Sequence, residues 1–84
     1  MMKPTIHLNG TSAEALAEQY REAGRALHEA LDAMMGAAPN ARDYYPQGDG
    51  AFARARTEHV ERLKVVEKVM QEMAQLYEHV SDNS

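Results

Sequence analysis

Four histidines and thirteen acidic side chains in 84 residues supply more ligand atoms than a small helical metal site needs, but their spacing is wrong. A helix offers two ligands on one face through Glu-x-x-His or His-x-x-x-His, and neither pattern occurs. His28 and His59 are placed to meet if their segments pair. Solitary histidines on amphipathic helices, however, are ordinarily packing or interface residues. Nucleophilic chemistry is equally short of parts. There is no cysteine, and a hydroxyl site would rest on Ser12 or the C-terminal serines Ser81 and Ser84, with no base at a fixed spacing. No catalytic residue, metal ligand or cofactor is therefore assigned, and the chain reads as a binding protein rather than an enzyme.

The run Arg42-Asp43-Tyr44-Tyr45-Pro46-Gln47-Gly48 carries the most recognition chemistry. Two adjacent tyrosines in a polar loop cannot easily both turn inward, so at least one should be exposed or should cover the end of the fold. As a recognition loop, Tyr44 or Tyr45 would stack on a ring and Gln47 would lie beside them. Arg42, Arg54 and Arg56, with the start of the following helix, would supply positive potential for a phosphate or an acidic partner. Asp43 and Asp49 oppose that charge. The structural alternative is a lid, in which Tyr44 and Tyr45 cap the core where two helices meet.

The elements that position this loop follow from periodicity. Thr5–Asn9 alternates, with Ile6 and Leu8 on one side, which predicts a short strand over 5–9. No second strand-like run exists to pair with it, so the economical partner is the same strand of another subunit. Thr11-Ser12-Ala13-Glu14 reads as a capping box with Thr11 as the cap. A first helix is predicted over 12–35, with Leu16, Tyr20, Ala23, Leu27, Ala30 or Leu31, and Met34 on one face. Gly36 suits a left-handed residue just past its end, and Pro39 prevents continuation.

Residues 36–50 read as a loop, dense in turn formers. A second helix is predicted over 51–80, opening at Asp49 or Gly50, with residues 81–84 as a fraying tail. Its apolar stripe holds Phe52, His59, Leu63, Val66, Met70, Met73, Tyr77 and Val80, widened by Val60, Val65, Val69 and Leu76. One partner helix would not cover a stripe that wide. Arg54 with Glu58, Glu58 with Arg62, and Lys68 with Glu72 are opposite charges four apart. Met34, Met35, Met70 and Met73 read as core at the closed end and middle of the hairpin, although thioethers also suit an adaptable groove.

The fold class is all-α: one domain, a two-helix antiparallel hairpin with a short N-terminal β-strand. Ordering a chain of this length costs on the order of 100 kcal/mol, more than one apolar stripe per helix offsets. No disulfide is available to help. Self-association into a four-helix or larger homo-oligomer, at least a dimer, is expected. A net charge of −4 argues against nucleic acid as a partner. Apolar runs are too short for a membrane span, no signal-peptide pattern is present, and a cytoplasmic protein is expected. Residues 12–35 carry five acids and two bases, whereas 51–81 carry five of each, with Arg54 and Arg56 early. An anion site is therefore expected near the start of the second helix.

The order Thr5-Ile6-His7-Leu8-Asn9-Gly10-Thr11, then Arg42 to Gly48, then Glu58-His59 and an amphipathic helix resembles a group of small uncharacterised proteins of bacteriophages and prophages. The similarity spans nearly the whole chain and carries no residue roles. It implies an accessory factor that blunts host defence, by sequestering a nucleotide signal between subunits or by occupying a surface on a host protein. A structural or assembly role in the virion is the third class of expectation.

Overall fold

The computed structural model describes residues 1–82. Two helices, α1 (Ala13–Gly36) and α2 (Ala51–Asp82), are joined by two short 3-10 turns, Ala41–Asp43 and Tyr45–Gln47. They form an antiparallel hairpin measuring 61 × 20 × 17 Å. Its radius of gyration is 18.5 Å, where a compact domain of this length would give about 12 Å. No helix among the described residues is long and apolar enough to cross a membrane.

Helix α1 starts one residue later than the capping-box reading. Ser12, not Thr11, is the cap: its backbone is extended, and its Oγ accepts from the Ala15 amide at 3.1 Å. Glu14 then lies in the first turn, where a carboxylate suits the positive end of the helix dipole. At the other end Gly36 is still helical and does not take the left-handed conformation expected of it. Ala37 closes the helix instead, its N–H donating to the Met34 carbonyl at 3.1 Å while the Ala38 N–H donates to the Met35 carbonyl at 3.3 Å. Hydrogen bonds to two carbonyls end the helix without a residue of positive φ.

The expected strand is absent among the described residues. Residues 1–6 have no regular secondary structure, and the chain then turns, with the Gly10 N–H donating to the His7 carbonyl at 3.1 Å. Ile6 is half-buried, while Leu8 is 98% exposed, so the alternation is used on one residue only. The cause is the lack of a second strand within the hairpin, which leaves the ladder nothing to pair with. What ties the segment down is a side chain: His79 Nε2–H donates to the Pro4 carbonyl at 2.8 Å.

Burial is concentrated at the two ends. Ala13, Leu76 and Val80 are buried at the open end, with Val80 fully covered, and Ala51 and His59 are buried at the loop end. Between them Tyr20, Leu27, Leu31, Leu63, Val66, Met70 and Met73 are half-buried, because each helix has only one partner. Leu31, rather than Ala30, takes the inner position. Met35 is exposed, contrary to its assignment to the core. Helix α2 begins at Ala51 and runs two residues past the expected 80; Asn83 and Ser84 of the expected tail lie outside the described residues.

The ion pairs expected on α2 do not close among the described residues. Pairs form mainly along α1 instead, Glu18 with Arg21 at 2.8 Å and Arg25 with both Glu22 and Glu29, together with Glu61 and Lys64 on α2 at 3.5 Å. The hydrogen bond from Arg25 holds the Glu22 carboxyl below its usual range. All these groups are exposed, so each pair contributes little.

His59 sets the register of the two helices. Its Nε2–H donates to the Met34 carbonyl at 2.7 Å, across 25 residues of sequence, at the last turn of α1, where the same carbonyl also accepts from the Ala37 amide. His59→Ala is expected to lower stability by about 1–3 kcal/mol through loss of this bond and the buried ring. His28, exposed and 3.8 Å from Asp32, should tolerate alanine within about 0.5 kcal/mol. Urea titration followed by circular dichroism checks the contrast, and equal effects would show that the carbonyl contact does not set the register.

Candidate functional site

The linker between the helices is ordered by its own turn chemistry. Asn40 caps the first 3-10 turn, its Oδ1 accepting from the Arg42 amide at 3.2 Å and its carbonyl from the Asp43 amide at 3.0 Å. The Gln47 amide donates to the Tyr44 carbonyl at 3.0 Å and the Gly48 amide to the Tyr45 carbonyl at 3.2 Å. Gly48 (φ 101°) and Gly50 (φ 83°) then take left-handed conformations that turn the chain into α2. Residues 36–50, expected as an irregular loop, thus hold the last residue of α1, a short joint, two consecutive 3-10 turns and a glycine-containing joint into α2.

This path separates the two tyrosines. Tyr44 is half-buried against the start of α2, and Tyr45 is 78% exposed. A shallow groove of about 230 Å³ is lined by Tyr44, Gln47, Ala51, Arg54, Ala55 and Glu58. Ala51 and Ala55, one turn apart on α2, are small enough to leave this space. Arg54 lies in the first turn of the helix, where the dipole is positive.

Of the six residues singled out from sequence, Tyr44, Gln47 and Arg54 come together in this groove. Tyr45, Arg42 and Arg56 are not among its lining residues. Arg42 lies on the first 3-10 turn, exposed. The Arg56 guanidinium lies over the Phe52 ring, 5.7 Å from its centre. Glu58 brings a carboxylate that sequence reasoning had placed in an ion pair with Arg54 or Arg62. Neither pair closes among the described residues, so both charges of the groove remain available to a ligand. The spacing of Ala51, Ala55 and Glu58 along one face of α2 was the available signal for these missed lining residues.

A second groove, about 280 Å³, lies between the helices and is lined by Tyr20, Arg21, Gly24, Met70, Met73, Ala74 and Tyr77. Gly24 opens it, since a Cβ there would meet nothing within 4 Å. Met70 and Met73 therefore serve both as packing and as a groove wall. No group of three or more His, Asp or Glu among the described residues is arranged to hold a metal ion.

No family model, curated protein or solved structure matches this chain.

The unequal burial of the tyrosines separates the lid from the recognition loop experimentally. Tyr44→Ala is expected to cost about 1–3 kcal/mol of stability through lost packing. Tyr45→Ala should stay within about 0.5 kcal/mol of the parent. Thermal denaturation of both variants checks this. A large loss from Tyr45→Ala would make that residue part of the structural lid.

Proposed function

We propose that the chain is a non-enzymatic accessory binding protein that works as an oligomer of hairpins and holds a small anionic, nucleotide-like ligand at the loop end. The observation that carries this reading is the convergence of Tyr44, Gln47 and Arg54 in one groove. A tyrosine face stacks on a base, an amide both donates to and accepts from base edges or hydroxyls, and an arginine fork takes a phosphate in two hydrogen bonds. Arg54 at the start of α2 adds its charge to the helix dipole. Glu58, one turn further on, directs the phosphate towards that start and away from itself.

The shape of the groove supports the oligomer. Small-molecule sites cover about 70–90% of their ligand, and an open groove on one hairpin covers far less, so a second hairpin would complete the site. The surface points the same way. The chain exposes 6302 Å², against about 5000 Å² for a compact protein of its mass. A standard interface needs only about 800 Å² per partner. Pairing of the N-terminal segments between subunits is compatible with the exposure of Leu8. The resemblance to phage and prophage proteins supports a role in counter-defence, in the cytoplasm of the host.

Tyr45 favours a second reading. A tyrosine 78% exposed beside the groove suits occupation of a host protein surface.

A thermal-shift screen of mono-, di- and cyclic nucleotides against the pure protein separates the two. A ligand at 100 times its Kd adds about 2.7 kcal/mol, a rise of about 10 °C or more for a domain this small. Arg54→Glu should abolish that rise. A silent screen, with capture of a host protein that Tyr45→Ala prevents, would replace the nucleotide reading with the second.

A further inference from the structure

Helix α2 carries a second stripe that the hairpin does not use. Arg62, Val65, Val69 and Glu72 follow steps of three, four and three, the spacing of a coiled-coil seam. At 3.6 residues per turn this stripe lies roughly 100° around the helix from Leu63, Val66, Met70 and Met73, which pack towards α1. Val65 is 64% exposed and Val69 37%. Arg62 and Glu72, which bracket them, close no ion pair within the hairpin among the described residues. The next position of the stripe, Leu76, is buried, which sets one end of the open seam.

We propose that a second copy of the chain docks on this face, with the two α2 helices antiparallel about a twofold axis level with residue 67. Such an axis sets Val65 against Val69 of the second copy and Arg62 against its Glu72, and each contact occurs twice. Two unpaired charges of opposite sign, equidistant from the centre of the seam, are what a self-complementary twofold interface requires. A parallel arrangement would instead set Arg62 against Arg62 and Glu72 against Glu72.

Charge along the whole helix selects the same direction. Residues 51–64 hold four bases and two acids, whereas 65–82 hold one base and four acids. Antiparallel packing lays the basic half of one α2 on the acidic half of the other, and complementary potentials favour that register. The surface surplus noted above supplies the area that such a dimer buries.

This inference rests on the oligomer reading, so the test separates the two. Light scattering coupled to size-exclusion chromatography is run on the full chain across a concentration series. The parent should dimerise, or form a larger even-numbered assembly. Arg62→Glu and Glu72→Arg, each placing like charges opposite one another twice, should weaken association by about tenfold or more, and the double variant R62E/E72R should restore it. Both sites are exposed or half-buried, and circular dichroism will show each variant as helical as the parent. Because the chain has no cysteine, Val65→Cys and Val69→Cys variants mixed together should form a disulfide between unlike chains faster than either forms one alone. Association unchanged by both single charge swaps, or faster crosslinking between like chains, overturns this seam and leaves the oligomer standing. A parent that stays monomeric at all concentrations overturns both.

Discussion

The bond between the His59 ring and the Met34 carbonyl joins the first helix's end to the third turn of the second. It is short, largely shielded from water, and made to a last-turn carbonyl that also accepts from the Ala37 amide. Moving α2 along α1 by one turn would break it and carry Ala51, Arg54 and Ala55 away from Tyr44. The groove at the loop end thus depends on a register that a single imidazole holds. The apolar stripes alone tolerate such slips better, because half-buried leucines and methionines repack against one another with small losses.

A hairpin of two helices cannot enclose a core, since every inward side chain also has a flank open to water. Methionine and alanine are abundant along this interface, and between its ends no side chain is fully covered. The same constraint leaves α2 with more apolar width than α1 occupies. Val65 and Val69 on one flank are surplus to the hairpin's own packing. Surplus of this kind, accompanied by charges without local partners, is what supports the proposal that a second molecule covers this face.

The helices were legible from sequence because their periods are long and their ends carry polar and glycine signals. The start of α1 moved by one residue because two hydroxyls, Thr11 and Ser12, compete for the same cap. The strand was misread because alternation over five residues reports amphipathicity without reporting a partner. The linker's turns were hidden for a related reason: Asn40, Pro46 and Gly48 signal that the chain bends, and only the succession of amide-to-carbonyl bonds makes the bends a pair of 3-10 turns. At the site, Tyr44, Gln47 and Arg54 were recognisable by type. Arg56 was not separable from Arg54, since stacking on Phe52 depends on which way the helix faces.

The distribution of burial, heavy at both ends and light between, inverts the usual behaviour of helices. Isolated helices fray from their termini. In this hairpin the termini are fastened, by Val80 and Ala13 at one end and by His59 and Ala51 at the other, while the central turns are covered on one side only. Within the helices of a lone hairpin, amide exchange should then be fastest near residues 22–30 and 62–72, the reverse of a fraying profile. The protein would breathe at its waist, and a molecule that gripped the waist would slow the exchange of the region that is otherwise least protected.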